Sequence, residues 1–113
     1  MKVAISCDGN EVSGHFGRCE KYIIFEVENG KLKSKIELAN PGHKPFFLPN
    51  FLKEHGVQKI ICQGIGPRAV DLFKQLGIEV ISGVSGNIDE VVKQYINGTL
   101  KSGISTCEHT KEL

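Results

Sequence analysis

The chain has no tryptophan, a single methionine and no excess of charge of either sign. Fourteen basic residues against 13 acidic ones among 113 leave a formal net charge of +1. That balance lacks the electrostatic footprint of a nucleic-acid or acidic-membrane partner, and neither is expected. No apolar run approaches the ~20 residues that span a bilayer. Residues 1–5 enter a strand-like pattern at once, without the apolar segment and cleavage site of a signal peptide, so a cytoplasmic location is expected. No Cys-x-x-Cys pair occurs. Cys7, Cys19, Cys62 and Cys107 are scattered, with no zinc-finger spacing, and in a reducing compartment they read as free thiols or ligands, not disulfides. A P-loop, a nucleophile elbow and paired carboxylates are missing as well. Asp8 is the one well-placed carboxylate, and it reads best as a turn residue. No enzyme activity is expected.

What is present is the make-up of an ordinary globular domain, 40% hydrophobic and 24% charged. Residues 2–7 alternate, with Val3, Ile5 and Cys7 on one face, and stop at Asp8-Gly9-Asn10. Residues 21–28 and 31–38 are two strands joined by Asn29-Gly30, the strongest short hairpin signal. Lys31, Lys33 and Lys35 on the solvent face of the second suit a guarded sheet edge. A helix carries Phe47, Leu48, Phe51, Leu52 and His55 on one stripe, with Pro49 in its first turn and Gly56 as its C-cap. Residues 57–62 form a short apolar strand of the kind buried in parallel sheets. Ala69, Val70, Phe73 and Leu76 recur at helical spacing, closed by Gly77, and residues 78–81 form another short strand. Asn87 with Glu90 starts a last helix carrying Ile88, Val91, Val92, Tyr95 and Ile96, closed by Gly98. The order β-β-β-α-β-α-β-α predicts an α/β fold with a mixed sheet and helices on its faces. Residues 1–100 are expected to form a single domain, and residues 101–113 a polar, mobile tail.

Function is expected at the carboxyl ends of the parallel strands, where open α/β sheets bind ligands. Gly14-His15-Phe16-Gly17-Arg18-Cys19 puts an imidazole, a guanidinium and a thiol within five residues of loop. Its glycines permit unusual backbone angles and close approach of a bulky ligand. Gly64-Ile65-Gly66 ahead of a helix offers N–H groups and a positive dipole end to an anion, and Arg68 adds a charge. His15 is the leading functional residue. Cys19 reads either as a soft ligand or as a small core residue. His43 is either a lid residue or a surface histidine in a Pro-Gly turn. Cys107 and His109 have ligand chemistry in a non-periodic tail. Thiolates with imidazoles favour soft or borderline metals over magnesium or calcium. A glycine-lined, partly cationic pocket of this kind suits an anionic metal–sulfur cluster assembled elsewhere. A metal-free small-molecule or anion-binding regulatory module is the alternative.

Further motifs add a resemblance. Asp8, Val12 and the residues 14–19, then Asn40-Pro41-Gly42-His43 with Leu48-Pro49, Gly64-Ile65-Gly66-Pro67-Arg68-Ala69, Gly77-Ile78-Glu79-Val80 and Tyr95-x-x-Gly98-Thr99-Leu100 occur in the order and spacing seen in one family. Over residues 2–109 the chain resembles the dinitrogenase iron–molybdenum cofactor biosynthesis family. This is the small domain of NifX- and NifY-type proteins and of the C-terminal extension of NifB-type proteins. The resemblance implies a ribonuclease H-like α/β fold with a five-stranded mixed sheet. It implies non-catalytic binding or carriage of an iron–sulfur or molybdenum-containing cluster, with cluster donor and acceptor proteins as partners. By residue it points to His15 first, with Arg18 and Cys19 beside it and Gly64, Gly66 and Arg68 as the facing wall.

Overall fold

The structure, a computed structural model, describes residues 1–42 and 47–100. His43, Cys107 and His109 therefore lie outside the described residues. Strand β1 (Lys2–Asp8) is followed by a two-residue strand β2 (Glu11–Val12), a 3₁₀ turn at Phe16–Arg18, and the hairpin of β3 (Lys21–Glu28) and β4 (Lys31–Ala39). Then come α1 (Phe47–Glu54), β5 (Lys59–Ile61), α2 (Pro67–Gln75), β6 (Glu79–Ile81) and α3 (Ile88–Asn97). Asn29 and Gly30, both at positive φ (52° and 74°), make the tight turn expected between β3 and β4.

The sheet runs β4-β3-β1-β5-β6, with β2 folded back on the end of β1. Pairing is antiparallel from β1 to β3 and from β3 to β4, and parallel from β1 to β5 and from β5 to β6. The mixed sheet is as expected, and β2 is a sixth strand beyond the five. Two residues carry no alternation for a pattern to reveal, and β2 exists because its pairing joins Cys7 to Val12 and Asp8 to Glu11.

Two-residue periodicity sorts the core into two layers. Ala4, Tyr22, Ile24, Ile60 and Cys62 pack beneath α1 and α2, against Leu48, Leu52 and Phe73. Val3, Ile5, Cys7, Ile23, Phe25 and Ile61 face α3, against Ile88, Val91 and Val92. Helices thus cover both faces. α3 is fixed at its start by the Asn87 side chain, which accepts from the N–H groups of Asp89 (2.9 Å) and Glu90 (3.4 Å), and at its end by Gly98 at φ 75°. Because β1, β5 and β6 are parallel, the segments that follow them (residues 9–19, 62–66 and 82–87) emerge on one edge of the molecule.

Candidate functional site

These three segments are tied into one shelf by main-chain hydrogen bonds. The Phe16 N–H donates to the Gly64 carbonyl (2.8 Å) and the Gly64 N–H to the Gly14 carbonyl (3.1 Å), which holds the His15 loop against the loop after β5. The Gly83 N–H donates to the Gln63 carbonyl (2.8 Å) and the Val12 N–H to the Gly86 carbonyl (2.9 Å), which brings in the loop after β6. The facing of residues 14–18 by Gly64 is therefore direct. It also corrects one expectation: the Gly64 N–H is spent on Gly14 and does not offer itself to an anion.

The His15 loop is held from below and at both ends. Asp8 Oδ1 accepts from the Glu20 N–H (2.7 Å) and Glu20 Oε1 from the Gly9 N–H (2.9 Å), a reciprocal clamp that closes the loop. Asp8 thus has a turn residue's role. Buried Ser13 donates from Oγ to the His15 carbonyl (3.1 Å) and accepts from the His15 N–H (3.2 Å). The Phe16 ring, 5% exposed, turns into the core edge-on to Phe73 (centroids 5.2 Å) and tilted against Tyr22 (5.7 Å). The Tyr22 hydroxyl donates to the Phe16 carbonyl (2.9 Å), and Asn40 Nδ2 to the carbonyls of Cys19 (2.8 Å) and Gly17 (3.3 Å). Each bond lets a buried or half-buried polar group in this turn keep a partner.

With Phe16 driven inward, His15 and Arg18 stand on the exposed surface, and Arg68 stands exposed in the first turn of α2. No side chain caps α2, and Pro67 occupies its start. Gly14 and Gly66 do not use the angular freedom of glycine, since neither has positive φ. At Gly66 a Cβ would meet nothing within 4 Å; the missing side chain leaves open space on the shelf instead. Cys19 lies under the loop, 4% exposed, and burial pushes its thiol pKa up. Cys7 is also buried, its thiol pKa raised chiefly by burial, and its Sγ donates to the Gly9 carbonyl (3.2 Å). Cys62 is buried as well. Among the described residues, no three His, Cys, Asp or Glu side chains are grouped to hold a metal ion, and no helix is long and apolar enough to cross a membrane.

Ser13 and Tyr22 escaped the sequence reading, and Asn40 entered it only within a motif, with no role assigned. Tyr22 carried a usable signal, because a tyrosine at an inward strand position requires a partner for its hydroxyl.

A mixed sheet with three stapled loops at its parallel ends and helices on both faces defines an α/β domain of the open-sheet class. The chain belongs to the dinitrogenase iron-molybdenum cofactor family, which matches residues 1–98. It is 41% identical over 106 residues to the uncharacterized protein MJ0580 of Methanocaldococcus jannaschii, covering 89% of this chain and 90% of that one. The crystal structure of PH0822 superposes with a TM-score of 0.86 at 38% identity, covering 90% of this chain and 94% of PH0822. That of MJ0327 from Methanocaldococcus jannaschii gives 0.74 at 27% identity, covering 93% and 96%.

Proposed function

We propose that this chain binds or carries, without catalysis, an iron–sulfur or molybdenum-containing metallocluster as cargo. The observation that carries the reading is the shelf itself: His15 and Arg18 exposed on a loop hydrogen-bonded to Gly64, one short turn before the uncapped start of α2 and exposed Arg68. Membership of a family named for the iron–molybdenum cofactor supports it.

The donor set suits cargo rather than a resident group. His15 supplies an exposed imidazole, while Cys19 is buried under the loop. A cluster held by one imidazole, two guanidinium groups and helix-end N–H groups is bound mainly through its negative charge. The open space at Gly66 gives a bulky inorganic anion access to the backbone. With few bonds to break, such a cargo can be handed to a protein that offers more thiolates. This makes donor and acceptor proteins the expected partners.

The metal-free alternative, a simple anion module, draws on the same α2 terminus and Arg68. Thermal unfolding under anaerobic conditions separates the two. A ligand that binds only the native state stabilises it by about 2.7 kcal/mol at 100 times its dissociation constant. Tetrathiomolybdate is expected to raise the unfolding midpoint, and molybdate or phosphate at equal concentration to leave it near that of the unliganded protein. Equal shifts from the sulfur-free oxyanions would overturn the cluster reading.

A further inference from the structure

The far edge of the sheet carries a feature that the shelf does not use. β4 is nine residues long and ends the sheet, and Lys31 through Glu37 are all exposed. Leu32 and Ile36 are 46% and 50% exposed, an unusual outlay of apolar surface on an open edge. The hydrogen-bond phase of β4 follows from its far end. The Asn40 N–H donates to the Glu20 carbonyl (3.1 Å), so residues 20 and 40 are a hydrogen-bonded pair. In an antiparallel ladder such pairs recur at every second position. Leu38, Ile36 and Ser34, opposite Tyr22, Ile24 and Glu26, therefore spend their backbone groups on β3. The Val27 N–H agrees with this phase, since it points to the other side of β3 and donates to the Met1 carbonyl (2.9 Å). Lys35, Glu37 and Ala39 consequently turn their N–H and C=O groups outward. A bulge opposite Glu26 and Val27 bounds the regular edge at residues 34–39.

We propose that this edge pairs with β4 of a second copy of the chain, antiparallel about a two-fold axis through Ile36. That register matches outward backbone to outward backbone, Lys35 with Glu37 of the other copy, twice. It sets the two Ile36 side chains opposite each other in a non-hydrogen-bonded pair, where side chains are closest. Charge selects this register over its neighbours. An axis through Lys35 opposes two lysines, and an axis through Glu37 opposes two glutamates. Lys35 and Glu37 thus disfavour the two adjacent registers and attract each other in this one. Such an interface is isologous and closes on itself, so it ends at a dimer. Lys35 and Glu37 now form exposed ion pairs within the chain, to Asp89 (3.5 Å) and Lys21 (3.2 Å). Pairs of this exposure hold their partners weakly and allow exchange.

Sedimentation equilibrium of the full chain and its charge variants tests this. The wild type is expected at twice 12.4 kDa. Lys35→Glu and Glu37→Lys should each fall to the single-chain mass, because each opposes like charges twice. The double variant Lys35→Glu/Glu37→Lys should return to the doubled mass. So should an equimolar mixture of the two single variants. One copy then carries two acidic side chains and the other two basic ones, so that both cross-strand pairs again join opposite charges. A wild type at the single-chain mass overturns the proposal. So do single variants that keep the doubled mass, or a mixture that fails to regain it. Unchanged thermal unfolding of the single variants below the association range confirms that both still fold.

Discussion

Phe16→Ala is expected to lower the unfolding free energy by about 3–5 kcal/mol, the usual range for truncating a buried phenylalanine. The ring is nearly inaccessible and rests on Phe73 and Tyr22 beneath α2, so its removal leaves a void under the loop as well as losing apolar contact. Against a total stability of about 5–15 kcal/mol the variant should still fold. Its loop should not keep its shape. The hydrogen bond from Tyr22 to the Phe16 carbonyl and the pair between residues 14–16 and Gly64 depend on the backbone position that the ring enforces. Folded Phe16→Ala is therefore expected to bind tetrathiomolybdate at least tenfold more weakly, a change of about 1.4 kcal/mol. Urea unfolding reads the first effect, and titration of the folded variant reads the second. Phe16→Leu, which refills most of the volume, should recover most of both.

Phe25→Ala supplies the contrast. Its ring is fully buried on the opposite face of the sheet and meets Tyr95 of α3 edge-on at 5.6 Å. The stability loss should again be about 3–5 kcal/mol. The hydrogen bonds that join the three loops of the shelf do not involve Phe25, so the folded fraction should bind with an affinity close to that of the wild type. Two variants of equal thermodynamic cost and unequal effect on binding would separate positioning of the loop from general weakening of the domain. If both lost binding alike, the loop would have no special dependence on the ring beneath it.

Much of the architecture was legible because it rests on short-range rules. The Asn29-Gly30 turn, the alternation of β1 and the Asn87 start of α3 are each set by a few adjacent residues, and the structure has all three. β2 was not legible, since a two-residue strand is defined by its partner and not by its own composition. The site was legible only as a list of residues. That Phe16 would point inward while its neighbours His15 and Arg18 point out depends on a 3₁₀ turn and on Phe73, which is 57 positions further along the chain. The use of the Gly64 N–H by Gly14 is a long-range pairing of the same kind, invisible in a glycine-rich loop viewed alone. Glycine itself misled in part. At residues 14 and 66 it serves space and not angle, whereas Gly9, Gly83 and Gly86, around the same shelf, are at positive φ.

The central claim is that an exposed imidazole on this shelf holds a metal–sulfur cargo. Anaerobic titration of the wild type and His15→Ala with tetrathiomolybdate, and separately with a synthetic iron–sulfur cluster, followed by visible absorption, tests it most directly. The wild type should show a saturating spectral change with at least one of them, and His15→Ala, whose side chain is exposed and whose loop is held by its neighbours, should fold normally and lose on the order of tenfold or more in affinity. A His15→Ala variant that binds as tightly as the wild type, with the same spectrum, would contradict the account.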